Sequence, residues 1–584
     1  MTNFVRSAQE RLPTPRTAKL PGLALLIVAT ALVSKAGAVE LFNVARPAAL
    51  DQPRINVLIR NSADSDPIVG ETVNPIDPFE TIPTINLQAY FDTGASGVLL
   101  SNATMSAWGL TAAQHNGQEV VFEDVGVGGT DFFRVSQPIS IGLASFAPGT
   151  DLENPVHYTQ QINNIRAELG PVPKSPVVDP LEDFISFFQD INVVGMPTMT
   201  GKVVVIDPKP TNEVARAIGA TGSIADLIDN IDNLFLRSHV YAPGTPFESA
   251  TAESNPGIPV TSHHIKLSYA SFDDFTTVTP GGAPLPSLAH NPFVGPNPLL
   301  ALTENPPADD TPGVRIEYGG QFAEGSFLLD TGAAVSMISE GIASQLDVRY
   351  RAGTPAESPV LEFFDGTMVP DQFLLQIGGI GGTVSVAGFY PDSLLLRTVE
   401  GNPADDNDPH HLKFTGGAPV LVLDISLEDS MGNTFTLDGI LGMNFMVGGA
   451  FLSGTDLLTL TIADYAAGAF DWIVFDEPNG LLGLHLSTDL VGDLNRDGFV
   501  GQDDLNIIIS AWGESVSAGN SQLGDPSGDG FIGQSDLNAV LGAWGQGTPP
   551  SLAGLNAVPE PSAWLLVTSA VAMMLLIRRR FSWS

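Results

Sequence analysis

The sequence contains no cysteine, and only 25 Lys and Arg stand against 65 Asp and Glu. The first absence excludes disulfides, which export would otherwise permit, so stability must come from packing or bound metal. The second leaves a formal net charge of −40, which cannot neutralise a row of phosphates and argues against nucleic acid as a partner. Such a charge suits a soluble protein outside the cell, or one that binds cations. No sugar-binding aromatic platform is evident either. What is abundant is Gly (60) and Pro (45), with Val, Ile, Thr and Phe in short runs. That mixture predicts a mainly β, loop-rich chain, and 584 residues are enough for two or three domains.

Both ends read as addresses. Scattered Arg and Lys, then "LPGLALLIVATALVS", then "AGA" at 36–38 have the order of a secretory signal peptide, 1–38, cleaved after Ala38. An uncleaved anchor is the competing reading, although the apolar run falls short of the roughly 20 residues a span needs. At the other end, "VPEPSAWLLVTSAVAMMLLIRRRFSWS" (558–584) joins a Pro-Glu-Pro turn to an apolar run, Ala563 to Ile577, and to Arg578, Arg579 and Arg580. The arginines predict a C-terminal transmembrane helix with the bulk of the chain outside. These three parts resemble the PEP-CTERM sorting signal of Gram-negative bacteria. The resemblance implies an exosortase-type processing enzyme as partner and a chain held in the membrane through its C-terminal helix before processing. An ordinary anchor predicts the same topology.

The interior repeats itself. "YFDTGASGVLLS" (90–101) and "FLLDTGAAVSMIS" (327–339) place the same Asp-Thr-Gly-Ala turn 238 residues apart. Counted from each aspartate, Ser101 and Ser339 fall at +9, where a strand end and a short helix are expected, and Ser106 and Ser344 at +14. Leu99 matches Met337, Leu100 matches Ile338, Trp108 matches Leu346 and Leu110 matches Val348. Gly-Thr recurs with Gly129 at +37 and Gly366 at +36, and Ile-Gly with Ile141-Gly142 and Ile377-Gly378. "INVVGMPTM" (191–199) matches "LDGILGMNFM" (437–446), and "KVVVIDPKP" (202–210) matches "DWIVFDEPN" (471–479). Five landmarks in one order predict an internal duplication, with lobes at 54–210 and 313–487. Between them, 211–312 reads as a Pro-rich linker or insertion with one strand, "HHIKLSYASF". His263 and His264 would face opposite sides of that strand, so they are incidental rather than a metal site.

An aspartate ending an apolar strand before Thr-Gly puts a carboxylate at a tight, buried turn. Two such carboxylates within hydrogen-bond range must share one proton, which is the pattern the aspartic protease dyad uses. The paired turns thus resemble the pepsin and retropepsin clan of aspartic proteases. That resemblance implies a bilobal β-barrel fold, a catalytic Asp92/Asp330 pair with an activated water, and a protein or peptide substrate. Thr93, Gly94, Thr331 and Gly332 would form the active-site turns, and Gly195 and Gly442 would pack beneath them. No Tyr occupies "VGVGGTDFF", where pepsin-like enzymes carry one on a flap. The Gly-rich candidates are Gly128, Gly129 and Thr130 in the first lobe and Gly366 and Thr367 in the second. "IGGIGGT" (377–383) resembles a retropepsin flap by eye but sits out of register with the first lobe. The rival reading is a non-catalytic surface or matrix protein that keeps the protease fold as a scaffold.

After residue 490 the pattern changes to "GDLNRDGFVGQDDLNIIISAWG" and "GDPSGDGFIGQSDLNAVLGAWG", offset by 32 residues. Oxygen-bearing residues alternate as Ca²⁺ requires, with Gly at the sharp turn. Asp493, Asn495, Asp497, Phe499 (through its carbonyl) and Asp504 are the first ligand set. Asp525, Ser527, Asp529, Phe531 and Asp536 are the second. Asp at position 12 and a single helix after each loop resemble dockerin repeats. The resemblance implies a small all-α EF-hand pair over 491–546, Ca²⁺ as cofactor and a cohesin-like partner, followed by a linker at 547–557. A component of a polysaccharide-degrading assembly and a Ca²⁺-stapled spacer both remain open.

Overall fold

The computed structural model describes residues 38–42, 44–73, 80–145, 150–172, 191–212, 236–247, 257–272, 282–303, 306–428, 434–453, 461–466, 468–487, 492–495, 500–516, 524–525, 531–542 and 544. The predicted sorting tail, and the signal peptide except Ala38, fall outside them. Among the described residues no helix is long and apolar enough to cross a membrane. Strands make up 41% and helices 12% of the described residues, which are mainly β as composition predicted.

Two large sheets organise it. A nine-stranded sheet runs in the spatial order Val121–Gly126, Gly129–Val135, Glu168–Leu169, Val98–Leu100, Val193–Val194, Leu87–Phe91, Arg54–Arg60, Ile139–Ala144, Gln160–Ile165. An eight-stranded sheet runs Ser268–Ala270, Asn291–Val294, Phe327–Leu329, Gly439–Leu441, Met337–Ile338, Val420–Val422, Gly382–Phe389, Phe373–Gly379. The two share a local plan. In each, the strand ending at the Asp-Thr-Gly turn pairs in parallel with a short strand from far downstream, Val193–Val194 or Gly439–Leu441. That short strand pairs antiparallel with the strand leaving the turn. Leu87–Phe91 shows how the sequence specifies this. Leu87, Ala89 and Phe91 face the core and Gln88 faces water, the period-two pattern of a half-buried strand. Arg54–Arg60 is buried along its middle five residues because it lies inside the sheet.

The duplicated landmarks mostly occupy equivalent places. Ser101 and Ser339 cap the helices Asn102–Ala107 and Glu340–Gln345, each hydroxyl accepting a backbone N–H of the first turn. Val203–Asp207 and Phe470–Asp476 pair antiparallel with one another, Val204 opposite Phe475, at the centre of a five-stranded sheet. Ile141-Gly142 and Ile377-Gly378 do not correspond: the first lies inside the nine-stranded sheet, the second near the tip of a hairpin.

Residues 211–312 are more than a linker. They supply Arg237–Tyr241, His263–Lys266, Ser268–Ala270 and Asn291–Val294, so "HHIKLSYASF" becomes two strands. Asn291–Val294 pairs with Phe327–Leu329, the strand that leads to Asp330. The chain after the predicted cleavage site also crosses over: Val39–Phe42 pairs with Leu412–Thr415, and Ala48–Ala49 with the strand Gly449–Ser453. One apolar core runs through both halves, from Ile55 and Phe91 to Phe327, Phe389 and Phe475. Near the end of the described chain, helices Gln502–Ser510 and Gln534–Gly542 pack around Leu494, Val500, Ile508, Ile532 and Val540.

Candidate active site

The two Asp-Thr-Gly turns meet face to face. A Cβ added to Gly94 would lie 2.4 Å from the carboxyl carbon of Asp330, and one added to Gly332 would lie 2.2 Å from that of Asp92. Glycine is therefore required at both positions by close approach rather than by backbone angle. Thr93 and Thr331 tie the turns reciprocally. Thr93 N donates to Thr331 Oγ1 at 3.0 Å, and Thr331 N donates to Thr93 Oγ1 at 3.1 Å. Each hydroxyl then donates at 2.6 Å across the junction, Thr93 to Leu329 O and Thr331 to Phe91 O. Both threonines are buried, so four bonds in a dry junction hold the two aspartates in place.

The carboxylates are partly exposed along one edge and hydrogen-bonded to each other. Burial pushes both above the usual carboxylate range, and Asp330 is raised further by the negative charge of Asp92. Asp92 Oδ1 accepts Gly94 N at 2.7 Å and Ala95 N at 3.2 Å, which favours the charge there. Asp330 Oδ1 is buried and meets no protein donor. The pair therefore holds one proton and one negative charge between two carboxyls.

The apolar-apolar-Gly elements sit beneath these turns. Gly195 N donates to Gly97 O and Met196 N to Ala95 O; Gly442 N donates to Ser336 Oγ and Met443 N to Ala333 O. A Cβ on Gly195 would lie 2.3 Å from Ala95 O, and one on Gly442 2.4 Å from Val335 O. Asp92 N donates to Val194 O and Asp330 N to Leu441 O, so the same element fixes the backbone of each aspartate.

Two hairpins approach the turns. The first, Val121–Gly126 with Gly129–Val135, carries Gly128, Gly129 and Thr130 at its tip, where the first-lobe flap was expected. Its partner is not the Gly366 turn. Gly366 and Thr367 lie on a small exposed turn, with Gly366 N donating to Phe363 O and Thr367 N to Asp365 Oδ1. The hairpin that meets the first is Phe373–Gly379 with Gly382–Phe389, the "IGGIGGT" stretch. Gly128 N donates to Ile380 O at 2.9 Å, and a Cβ on Gly381 would lie 2.5 Å from Gly128 C. The constant-register argument misplaced the second hairpin because a Gly-Thr pair marks any tight turn, and extra chain (Val348–Tyr350 paired with Leu361–Phe363) precedes this hairpin. Val127 at the first tip, and Leu375, Ile377 and Val384 in the second hairpin, pack into one cluster with Ala333, Ala334 and Val335, which follow Asp330.

Two amides at the site were not foreseen. Asn291 Nδ2 donates to Gly94 O at 2.8 Å and to Thr93 O at 3.1 Å, and its Oδ1 accepts Ser96 Oγ at 2.6 Å. Gln52 Nε2 donates to Gly332 O across the junction. Each stands just before, or at the start of, the strand beside the one leading to an aspartate, so each half braces the turn of the other. Their short, dissimilar contexts ("LDQPR", "AHNPF") left no repeat signal to find.

Of the predicted Ca²⁺ ligands, Asp497, Phe499, Ser527 and Asp529 lie outside the described residues. Asp493, Asp504, Asp525 and Asp536 are buried. Asp504 Oδ1 accepts Leu494 N and Asn495 N, and Asp504 Oδ2 accepts Gly501 N, closing position 12 onto the start of its loop. Gly533 N donates to Asp536 Oδ2 in the equivalent way. Among the described residues no cluster of three His, Cys, Asp or Glu is assembled for a metal, and His263 and His264 form none. His264 Nδ1 instead contacts Glu400 at 2.5 Å.

No protein-family model matches this chain, and no curated protein matches it.

Proposed function

We propose that the chain is a secreted, surface-sorted aspartic endopeptidase whose two lobes form one cleft. The observation that carries this reading is the pair Asp92/Asp330, joined by a hydrogen bond, raised by burial and clamped by reciprocal threonine bonds. In the reaction, Asp92 takes a proton from a water molecule while the proton on Asp330 polarises the scissile carbonyl. The hydroxide adds to that carbon, giving a tetrahedral diol with no covalent enzyme intermediate. The diol collapses as the amide nitrogen takes a proton from the pair, and the peptide leaves as acid and amine. The meeting hairpins would exclude bulk water, which strengthens the electrostatics at the dyad.

Asp92→Asn and Asp330→Asn should each abolish cleavage of an unfolded protein substrate, measured by product mass spectrometry across acid to neutral pH. Full activity in either variant removes the dyad assignment. Binding of pepstatin would support the protease reading against a non-catalytic scaffold. Persistent silence of a folded wild-type chain would favour the scaffold.

We further propose that the segment 491–546 binds two Ca²⁺ ions as a dockerin-like module. Its buried Asp493, Asp504, Asp525 and Asp536 share that segment with a single basic residue, Arg496. Carboxylates at positions 1 and 12 of both loops are the anionic ligands that a Ca²⁺ loop of this pattern supplies. The described ligands fit: Asp493, Asn495 and Asp504 would serve the first ion, and Asp525, Phe531 and Asp536 the second, each supplying hard oxygen atoms. Calorimetric titration with Ca²⁺ should give two binding events, and chelator should lower the unfolding temperature of the module. Cohesin capture would then separate a docking module from a spacer before the proposed exosortase-processed tail.

A further inference from the structure

Asn291 holds the Asp92 turn in a way that reaches the carboxylate itself. The residue is 1% exposed and opens the strand Asn291–Val294, where it pairs with Ala270. Just before it, Ala289 N donates to Ser96 O at 2.9 Å, so this segment is fixed along the turn. Ser96 Oγ donates to Asn291 Oδ1 at 2.6 Å, and Nδ2 faces the carbonyls of Thr93 and Gly94, which can only accept. The amide therefore has one possible orientation.

The two carbonyls matter because of the peptide units they belong to. Thr93 O shares its unit with Gly94 N, and Gly94 O shares its unit with Ala95 N. Those two N–H groups are the ones that Asp92 Oδ1 accepts, at 2.7 and 3.2 Å. Asn291 thus grips the oxygen ends of both peptide dipoles whose N–H ends meet one carboxylate oxygen. A donor on a carbonyl oxygen polarises the amide and strengthens the bond its N–H makes, the more so in a buried site. N–H groups that donate to a carboxylate favour its charged form. The other turn is held differently. Gln52 Nε2 donates to one carbonyl there, Gly332 O, and Asp330 Oδ1 is buried with no hydrogen-bond partner.

We infer that Asn291 is a positioning residue that makes Asp92 the charged member of the pair, acting through the Thr93–Gly94 and Gly94–Ala95 peptide units. Gln52 acts on the opposite member, which becomes charged only when the pair has lost both protons. The catalytic part of this inference rests on the endopeptidase reading, whereas the placement of the charge is measurable without it.

The test is kcat/KM against pH for the full wild-type chain, Asn291→Ala, Ser96→Ala and Gln52→Ala on one cleaved peptide. The acid limb reports loss of the first proton from the pair, and the alkaline limb loss of the second. In Asn291→Ala the acid limb should move up by about 0.5–1 pH unit while the alkaline limb stays in place. Ser96→Ala keeps the amide but frees its oxygen, so it should move the same limb by less, and it replaces Asn291→Ala if that variant does not fold. Gln52→Ala should move the alkaline limb up instead. Lower kcat/KM with both limbs unmoved would show a purely structural amide and overturn the inference, as would an Asn291→Ala shift confined to the alkaline limb. If the wild-type chain cleaves nothing, the endopeptidase reading fails, and carbon NMR of the chain labelled at its Asp carboxyl carbons decides the placement of charge. The two resonances are assigned by their loss in Asp92→Asn and in Asp330→Asn. Asp92 should ionise at the lower pH in wild type and at a higher pH in Asn291→Ala than in wild type. Asp330 ionising first, or an Asp92 midpoint unmoved by Asn291→Ala, overturns the inference.

Discussion

The first and second halves of this molecule hold their aspartates by the same means and surround them with opposite chemistry. Around each turn the parts are interchangeable: a reciprocal threonine, a glycine under the opposing carboxylate, a cross-braced carbonyl and an apolar-apolar-Gly element below. One layer further out the correspondence ends. Asp124 and Glu168 stand in one half, and Leu375, Ile377 and Leu421 stand in the other. Duplicated parts stay alike where both copies must act on one proton. They diverge one layer further out, where carboxylates in one half stand at the places of apolar side chains in the other.

The sharpest way to break the symmetric layer is at the dyad. Asp92→Asn and Asp330→Asn should each lower kcat at least about a thousandfold, because a pair that shares one proton acts as a unit. Unequal losses, with one variant near wild type, would show that the halves are not equivalent even here. Next comes close approach. Gly332→Ala puts a Cβ 2.2 Å from the Asp92 carboxyl carbon, and Gly94→Ala puts one 2.4 Å from that of Asp330. Both should forfeit nearly all activity and lower the unfolding temperature. A fully active alanine variant would mean that the turns separate in solution.

The outer layer is tested by exchanging its residues. Leu421 is 1% exposed, so Leu421→Glu buries a carboxylate without an Asp124 above it. The expected destabilisation is about 3 kcal/mol or more in urea unfolding, and an unchanged midpoint would contradict the apolar character of that half. The threonine clamp should respond more mildly and evenly. Thr93→Val and Thr331→Val each remove a hydroxyl that donates once and accepts once, for about 1–3 kcal/mol apiece by the same measurement. A large difference between the two would break the pseudo-symmetry of the junction.

The smallest effect concerns pH. Burial, then the charge of Asp124, holds Glu168 well above its ordinary value of 4.5, while burial brings Asp124 to about 6. The folded chain keeps protons there that the unfolded chain releases. The stability linked to this pair is therefore present below the unfolded values and falls as pH rises through the folded ones. Glu168→Gln removes one titration, so its unfolding temperature should gain on wild type as pH rises above the ordinary carboxyl value of 4.5. A gap that stays constant with pH would mean that Glu168 is charged throughout.

What could be read from the chain follows from the range of the interactions involved. Asp-Thr-Gly, the capping serines and the Gly-Met closures are local patterns, and each was written twice. Their repetition made the dyad and its turns legible before any tertiary contact was known. The β-rich character was legible for the same reason, since alternation along "LQAYF" needs no distant partner. The second hairpin was misjudged because insertions shift register, and only strand pairing shows that Ile380, not Gly366, meets Gly128. Asn291 and Gln52 were invisible because one side chain bracing a carbonyl across the junction leaves no periodic trace. The role of 211–312 was hidden likewise, as an edge strand is completed by whichever segment the fold delivers.

Sequence alone determined that this chain carries two matched carboxylate turns, because such turns are built from adjacent residues. Tertiary structure decided which hairpins meet, which amides brace the turns, and that Glu168 lies opposite Asp124 where Leu421 lies among apolar neighbours. Those pairings depend on strand register between segments tens to hundreds of residues apart. Register is set by the packing of whole sheets, not by the residues that end up touching.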